Sequence, residues 1–323
     1  MSDLFNTIDA RTRLAGTNKL EILLFTLGVD PHTGRREAFG INVFKVREVM
    51  RTPKITAAPE MPPSVVGMVS LRGALVPVVD LASYVGIGTD TPRDIMIVTE
   101  YNGHTQGFLV EAVDTILRLD WAQMRVPPEM LTANMGGLVT AVTELPGDKL
   151  VMMLDVEKVL SETTRYDNDF LFKDIVQLPA ADEHVVYFAD DSSVARKQIQ
   201  QTLEAMGVRY VAAVNGRQAW EELKKVAAHA EASKRKLSDL VSLVLTDVEM
   251  PEMDGYILTK HIKSDRRFAG IPVIMHSSLS GNSNQQLGLS VGVDEYVPKF
   301  EPQRLAQTLS RLLLEGPAAR AQD

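Results

Sequence analysis

From residue 185 to residue 314 the chain repeats one pattern five times: a short apolar run, then a longer segment with apolar residues at helical spacing. The runs fall at 185–189, 209–214, 241–246, 272–276 and 295–297. The helical segments fall at 193–206, 217–230, 256–264, 283–291 and 303–314, and Trp220, Leu223 and Ala227 share one side of the second. Strand and helix alternating in this way leave few topologies. Each strand reaches the next through a crossover, so the strands pair in parallel and helices cover both faces of the sheet. This half is therefore expected to be α/β and doubly wound. The stretch 227–240, AAHAEASKRKLSDL, reads as an extension of the second helix followed by a loop.

In a sheet of this kind chemistry gathers outside the carboxyl ends of the strands. The residues expected there are Asp190 and Asp191 after the first strand and Asp247 after the third, with Ser277-Ser278 after the fourth and Lys299 after the fifth. Three carboxylates brought together repel one another unless a divalent cation neutralises them, and an oxygen-only set favours Mg²⁺. Asp247 can then attack phosphorus as a carboxylate nucleophile. Mg²⁺ and Lys299 would stabilise the charge on the transferred oxygens. The Ser277 hydroxyl would donate a hydrogen bond to the phosphoryl group. Taken singly these residues say little, since an Asp-Asp after a strand is ordinarily a helix N-cap and a lone lysine is ordinarily solvated. Their joint occurrence in the right strand order is what points to a site.

The first half reads differently. Short apolar runs at 21–27, 39–43, 65–70, 75–79, 95–98, 107–110, 139–142 and 150–154 are separated by Gly, Pro and Asn. Many short strands with few helices predict barrels or a sandwich. Pro62-Pro63 and Pro127-Pro128 mark loops. No reacting constellation stands out, because Glu48, Asp80, Glu111, Asp114 and Asp155 lack a His or Ser partner at useful spacing. His32 and His104 are isolated in turn-like sequence. Gly86-Ile87-Gly88 and Gly136-Gly137 read as turns rather than phosphate loops, and Trp121 and Phe44 as packing. Residues 161–181 form the expected hinge.

A length of 323 residues suits two domains. The absence of cysteine removes disulfides, thiolate catalysis and cysteine zinc sites, and suits a reducing cytosol. With 42 acidic against 34 basic residues, a formal charge of -8, nucleic acid is a poor partner. Neither a signal peptide nor a membrane-length apolar window is present in the sequence, so a cytoplasmic location is expected.

The segments VVYFADDSSVARK, VLTDVEMPEMDG, PVIMHSSLS and DEYVPKF resemble the receiver domain of bacterial response regulators, over residues 183–315. The resemblance implies a flavodoxin-like fold, with Asp190 and Asp191 as the metal-binding acidic pair and Asp247 as the phosphoacceptor. It makes Ser277 the switch hydroxyl, Lys299 the phosphoryl-contacting lysine and Tyr296 the aromatic that changes rotamer. The backbone carbonyl of Glu249 would complete the Mg²⁺ shell. Three features depart from the family pattern: the longer 227–240 stretch, Ser278 in a slot usually small and apolar, and Phe300 where many receivers have proline.

In the first half, GMVSLRGALVPVVDL at 67–81 resembles the CheW coupling-protein family, with LEILLFTLG and FGINVFKVREVM before it and TEYNGHTQGFLVEAVDTILRL and GDKLVMMLDVEKVL after it. That implies an all-β, SH3-like double barrel, with Glu48, Gly67 and Arg72 as candidate partner contacts. On physical grounds Arg72 has two readings, a planar fork offered to a partner or an intradomain salt bridge. Glu48 also has a plainer reading, a solvated charge at a strand end.

A CheW-like domain followed by a receiver resembles the CheV type of coupling protein, and RTRLAGTNKLEILLF near the start agrees. The expected organisation is an N-terminal segment 1–17, a CheW-like domain 18–165, a linker 166–182, a receiver 183–316 and a tail 317–323. The expected function is a non-enzymatic chemotaxis adaptor, coupling methyl-accepting chemoreceptors to the histidine kinase and modulated by phosphorylation of Asp247. A phosphate sink and a constitutive scaffold stay open as alternatives, and recruitment to polar chemoreceptor arrays is expected. A transcriptional regulator would need a DNA-binding domain, for which LEGPAARAQD after the last helix leaves no room. A receiver-regulated enzyme would need reacting groups in the first half.

Overall fold

In the computed structural model, residues 19–319 are described apart from 32–33, 89, 102–103, 148, 164–171, 279–285 and 287. The readings made for residues 1–17, His32, 166–171, 320–323 and part of the 283–291 helix lie outside the described residues. The chain divides into two compact units, Lys19–Arg165 and a second beginning at Tyr166.

Among the described residues, the first unit holds ten strands in two five-stranded sheets. The chain runs through β1 (Lys19–Thr26), β2 (Ala38–Asn42), β3 (Val46–Arg51), β4 (Val65–Leu71), β5 (Ala74–Asp80), α1 (Leu81–Val85), β6 (Ile95–Tyr101) and β7 (His104–Val110). It continues through β8 (Ala112–Asp120), α2 (Glu129–Asn134), β9 (Val139–Leu145), β10 (Lys149–Leu154) and α3 (Val156–Thr163). One sheet has the order β8-β1-β2-β10-β9 and the other β3-β6-β7-β5-β4. The middle of the sequence thus makes one sheet and the two ends make the other.

Strand alternation explains how they pack. Leu20, Ile22 and Leu24 of β1 bury among Trp121, Met124, Val151 and Met153, inside their own sheet. Leu23 and Phe25 point the opposite way and join Phe39 and Ile41 in a core that also contains Val79, Ile97 and Phe108 of the second sheet. Val69, Val76, Val78, Met96 and Val98 fill the interior of that second sheet. Each sheet therefore has its own interior, and the two share a third core between them.

Both sheets are closed in the same way. The segment after edge strand β3 bridges edge strand β4 at Thr56 and Met68, and the segment after edge strand β8 bridges edge strand β9 at Arg125 and Val142. This is the doubled barrel expected from the sequence. Two of its strands, β3 and β8, do not stand out as apolar runs in the sequence. The polar residues Asp114, Thr115 and Arg118 interrupt β8, and most of its positions are exposed or half-buried, so the alternation signal is weak.

The second unit has β11 (Val185–Ala189), α4 (Ser193–Met206), β12 (Arg209–Ala213), α5 (Gly216–Ser233), β13 (Leu243–Thr246), α6 (Gly255–Ser264), β14 (Val273–Ser277), β15 (Glu295–Pro298) and α7 (Pro302–Ala319). Residues 288–290 are also helical. All four pairings are parallel, in the order β12-β11-β13-β14-β15. That is the flavodoxin-like winding, with its switch point beside β11. Apolar cores cover both faces of the sheet, one against α4 and α7 and one against α5 and α6.

The 227–240 stretch extends α5 to Ser233 and then forms a single 3₁₀ turn, Leu237–Asp239. Packing in this unit begins upstream of residue 183. Leu178 is buried in the core beneath α4 and α7 with Ile175 against it, and its N–H donates to the Met206 carbonyl at 3.0 Å.

Candidate functional site

Strand register brings the acidic residues together. Ala189 pairs with Thr246 across β11 and β13, and the Asp247 N–H donates to the Ala189 carbonyl at 2.8 Å. Asp190 and Asp247 consequently leave neighbouring strands at the same level. On the other side Ser277 pairs with Pro298, and the Lys299 N–H donates to the Ser277 carbonyl at 3.1 Å. Each of these site residues lies at or just past the last paired position of its strand, where backbone pairing ends and side chains converge.

The carboxylate oxygens of Asp190, Asp191 and Asp247 come within 4.8 Å of one another. Asp190 and Asp247 are buried and Asp191 is half-buried. Lys299, itself only 2% exposed, places Nζ 2.9 Å from Asp190 Oδ2 and 3.0 Å from Asp247 Oδ2. The Ser192 N–H donates to Asp190 Oδ1 at 2.9 Å, and the Val248 N–H to Asp247 Oδ1 at 2.7 Å. Three carboxylates against one ammonium leave two negative charges, which one divalent cation matches. Ligand atoms that are all oxygen, with that charge and spacing, fit Mg²⁺. Asp190, Asp191 and Asp247 would hold it.

The floor of the site is set by the start of α6. A Cβ on Gly255 would overlap the carbonyl oxygen of Asp247, so only glycine lets the helix begin this close. Asp254 caps that helix by accepting from the Ile257 N–H at 2.7 Å. It does so while buried, and burial pushes its carboxyl up to about 6 although backbone hydrogen bonds pull the other way.

Tyr296 shares a hydrogen bond with Ser277, and burial raises its hydroxyl above the ordinary tyrosine range. Tyr256 lies beside Tyr296 among Val248, Met275 and Val293, and burial with the nearby charges of Tyr296, Glu249, Asp254 and Asp247 raises it likewise. The backbone after Lys299 is also defined. Phe300 has φ of 63°, a left-handed conformation that proline cannot take.

Several contributors to this site carry no signal strong enough to be read in the sequence. Arg196 Nη1 donates to the carbonyls of both Asp190 and Asp191 at 2.8 Å. A lone arginine on a helix ordinarily reads as solvated. Tyr256 is likewise silent, and Asp254 signals only a helix cap, in the Asp-Gly pair at 254–255.

In the first unit, Arg72 and Gly73 are the two central residues of the β4–β5 hairpin, with φ of 51° and 87°. Positive φ at both makes the tight turn that matches strand twist. Arg72 is exposed, and its Nη2 lies 3.0 Å from Glu48 Oε2. The two candidate contacts are therefore partners of each other, Glu48 from edge strand β3 and Arg72 from the turn that ends edge strand β4. Gly67 is buried, with φ of 145°, and a Cβ there would overlap the Thr56 carbonyl at the bridge closing that sheet. Its place in the structure is accounted for by backbone approach.

Residues 21–164 match the CheW-like domain family, and residues 186–310 match the response regulator receiver domain family. The chain is similar to the chemotaxis protein CheV3 of Helicobacter pylori, at 31% identity over 280 residues covering 85% of this chain and 88% of that protein. It is similar also to CheV1 of the same organism, at 26% over 337 residues covering 97% and 99%. Among solved structures, the scaffolding protein TtCheW from Thermoanaerobacter tengcongensis aligns with 42% of this chain and 88% of its own, at 28% identity and a TM-score of 0.38. With both domains matched in this order and a relative of this identity covered almost throughout, the chain belongs to the CheV family of chemotaxis proteins, a CheW-like domain joined to a response regulator receiver domain.

Proposed function

We propose that this protein is a chemotaxis signalling adaptor that couples methyl-accepting chemoreceptors to the chemotaxis histidine kinase, and that phosphorylation of Asp247 modulates the coupling. The observation that carries this reading is the convergence of Asp190, Asp191 and Asp247 with Lys299 at the strand ends of the receiver, in a chain that also has a CheW-like domain. In this reading the CheW-like domain spans 18–165 and the receiver 183–316. A carboxylate oxygen of Asp247 attacks the phosphorus of the kinase's phosphohistidine, and the P–N bond breaks with its electron pair left on the imidazole nitrogen. Mg²⁺, when bound by Asp190, Asp191, Asp247 and the Glu249 carbonyl, supplies neutralising charge for the carboxylates and the incoming phosphoryl oxygens.

Lys299 turns its ammonium to the phosphoryl oxygens. Ser277 exchanges its hydrogen bond with Tyr296 for one to the phosphoryl group, which releases Tyr296 to change rotamer. The receiver surface around β15 and α7 then changes, and docking by the scaffold responds through a coupling of about 1–3 kcal/mol. Glu48 and Arg72 are proposed as docking contacts at the β4–β5 hairpin, with Gly67 shaping the strand beneath them.

Asp247→Asn tests the site. Labelling by the phosphorylated cognate kinase should disappear while scaffold binding to receptor and kinase persists, and undiminished labelling would sink the assignment. Arg72→Ala should weaken co-sedimentation with receptor or kinase without lowering the melting temperature. A lower melting temperature with unchanged binding would leave the Arg72–Glu48 pair as a structural salt bridge.

A further inference from the structure

Arg196 sits in the first turn of α4, and its guanidinium reaches back over the helix start to the two carbonyls of the acidic pair. Other contacts also hold the acidic loop, among them the Lys299 ammonium on the Asp190 carboxylate. The Asp190 N–H donates to the Ala213 carbonyl at 3.2 Å, and the Ser192 N–H closes onto Asp190 Oδ1 at 2.9 Å. Ser192 also caps α4 by accepting from the Ala195 N–H through Oγ. These contacts fall on Asp190 and Ser192. Between them, the carbonyl of Asp191 is gripped by Arg196 at 2.8 Å. One side-chain nitrogen thus fixes two successive carbonyls, and with them the direction in which each residue projects its carboxylate.

We infer that Arg196 is a positioning residue for the divalent-cation site: by pinning the Asp190 and Asp191 carbonyls from behind, it holds both carboxylates at ligand spacing before the cation arrives. The physical reason is that like charges drive the loop open. Two adjacent carboxylates facing a third relax apart unless the backbone carrying them is fixed. A guanidinium on the carbonyl side fixes it without occupying a ligand position and without competing for the carboxylate oxygens. Lys299 acts on side chains instead, its ammonium lying on the carboxylates of Asp190 and Asp247. This inference rests on the proposed metal site, and its test separates the two.

The experiment is isothermal titration of Mg²⁺ alone into the full chain, for wild type, Arg196→Met, Arg196→Lys and Asp191→Asn, with melting in metal-free buffer alongside. Arg196→Met keeps the stem and removes both hydrogen bonds. It should weaken Mg²⁺ binding by about 10-fold or more, the usual effect of losing a group that orients ligands. Arg196→Lys keeps a charge and a donor but not the planar fork, and should fall between the two. A merely structural arginine would lower the metal-free melting temperature and leave the Mg²⁺ dissociation constant of the folded protein unchanged. That result would overturn the inference while leaving the metal site standing. Wild type that takes up no Mg²⁺ would overturn both together.

Discussion

With its ammonium 2.9 Å from one buried carboxylate and 3.0 Å from another, Lys299 compensates charge that would otherwise face itself inside the receiver. Lys299→Met should therefore destabilise the metal-free protein by about 3–5 kcal/mol, the usual effect of stripping one partner from a buried ion pair. Added Mg²⁺ should recover part of the loss. Urea unfolding with and without Mg²⁺ checks both, and a neutral substitution would mean the carboxylates need no such partner.

Asp254 gives a second test. Its carboxyl titrates near 6 in the folded chain against an ordinary 3.8. The folded state therefore holds this proton more tightly, and stability from this group is full below about 4 and falls as pH rises through 6. About two pKa units correspond to about 3 kcal/mol. Asp254→Asn keeps the cap and removes the titration, so the difference in stability between the two proteins should change across pH 4–6 by about that amount. A flat difference would refute it. Single residues of this kind were the hardest to read. Asp190, Asp191, Asp247 and Lys299 were legible because strand ends advertise them, whereas Arg196 and Asp254 act through backbone groups whose positions only the fold determines.

Elements were legible where the apolar period was strong. The helix at 193–206 and the parallel strands were placed within a residue or two, since burial on both faces gives continuous apolar runs. β3 and β8 are edge strands, half-exposed and polar, and carried no such run. In each bridge that closes a barrel, one partner, Thr56 or Arg125, comes from a segment with no strand period. Closure is also where a substitution should matter. Gly67 and Gly73 both have positive φ, but a Cβ at Gly67 meets the Thr56 carbonyl and one at Gly73 meets open space. Gly67→Ala should lower stability by about 2–4 kcal/mol, and Gly73→Ala by about 1 kcal/mol. Equal losses in thermal melting would show that closure adds nothing beyond backbone conformation.

At the level of the whole molecule, the two-part organisation was readable because the hydrophobic period changes from strand-like to alternating strand and helix near residue 183. The intertwining of the two barrels came only with the resemblance to the CheW family, since strand period does not say which strands pair across long sequence distances. Mg²⁺ at a hundred times its dissociation constant should stabilise the receiver by about 2.7 kcal/mol through mass action, and Asp191→Asn should lose most of that gain. Calorimetry of the intact chain would measure it, and an equal gain in both proteins would remove Asp191 from the ligand set. The scaffold's topology has a mechanical corollary. Because β1 and β10 both lie in the sheet made from its sequence ends, with β2 between them, the first and last strands of this unit are tied into one sheet. The barrel carrying the Arg72 hairpin is spliced into the middle of the thread, so along the backbone a pull on either end reaches that hairpin only through strands of the other sheet.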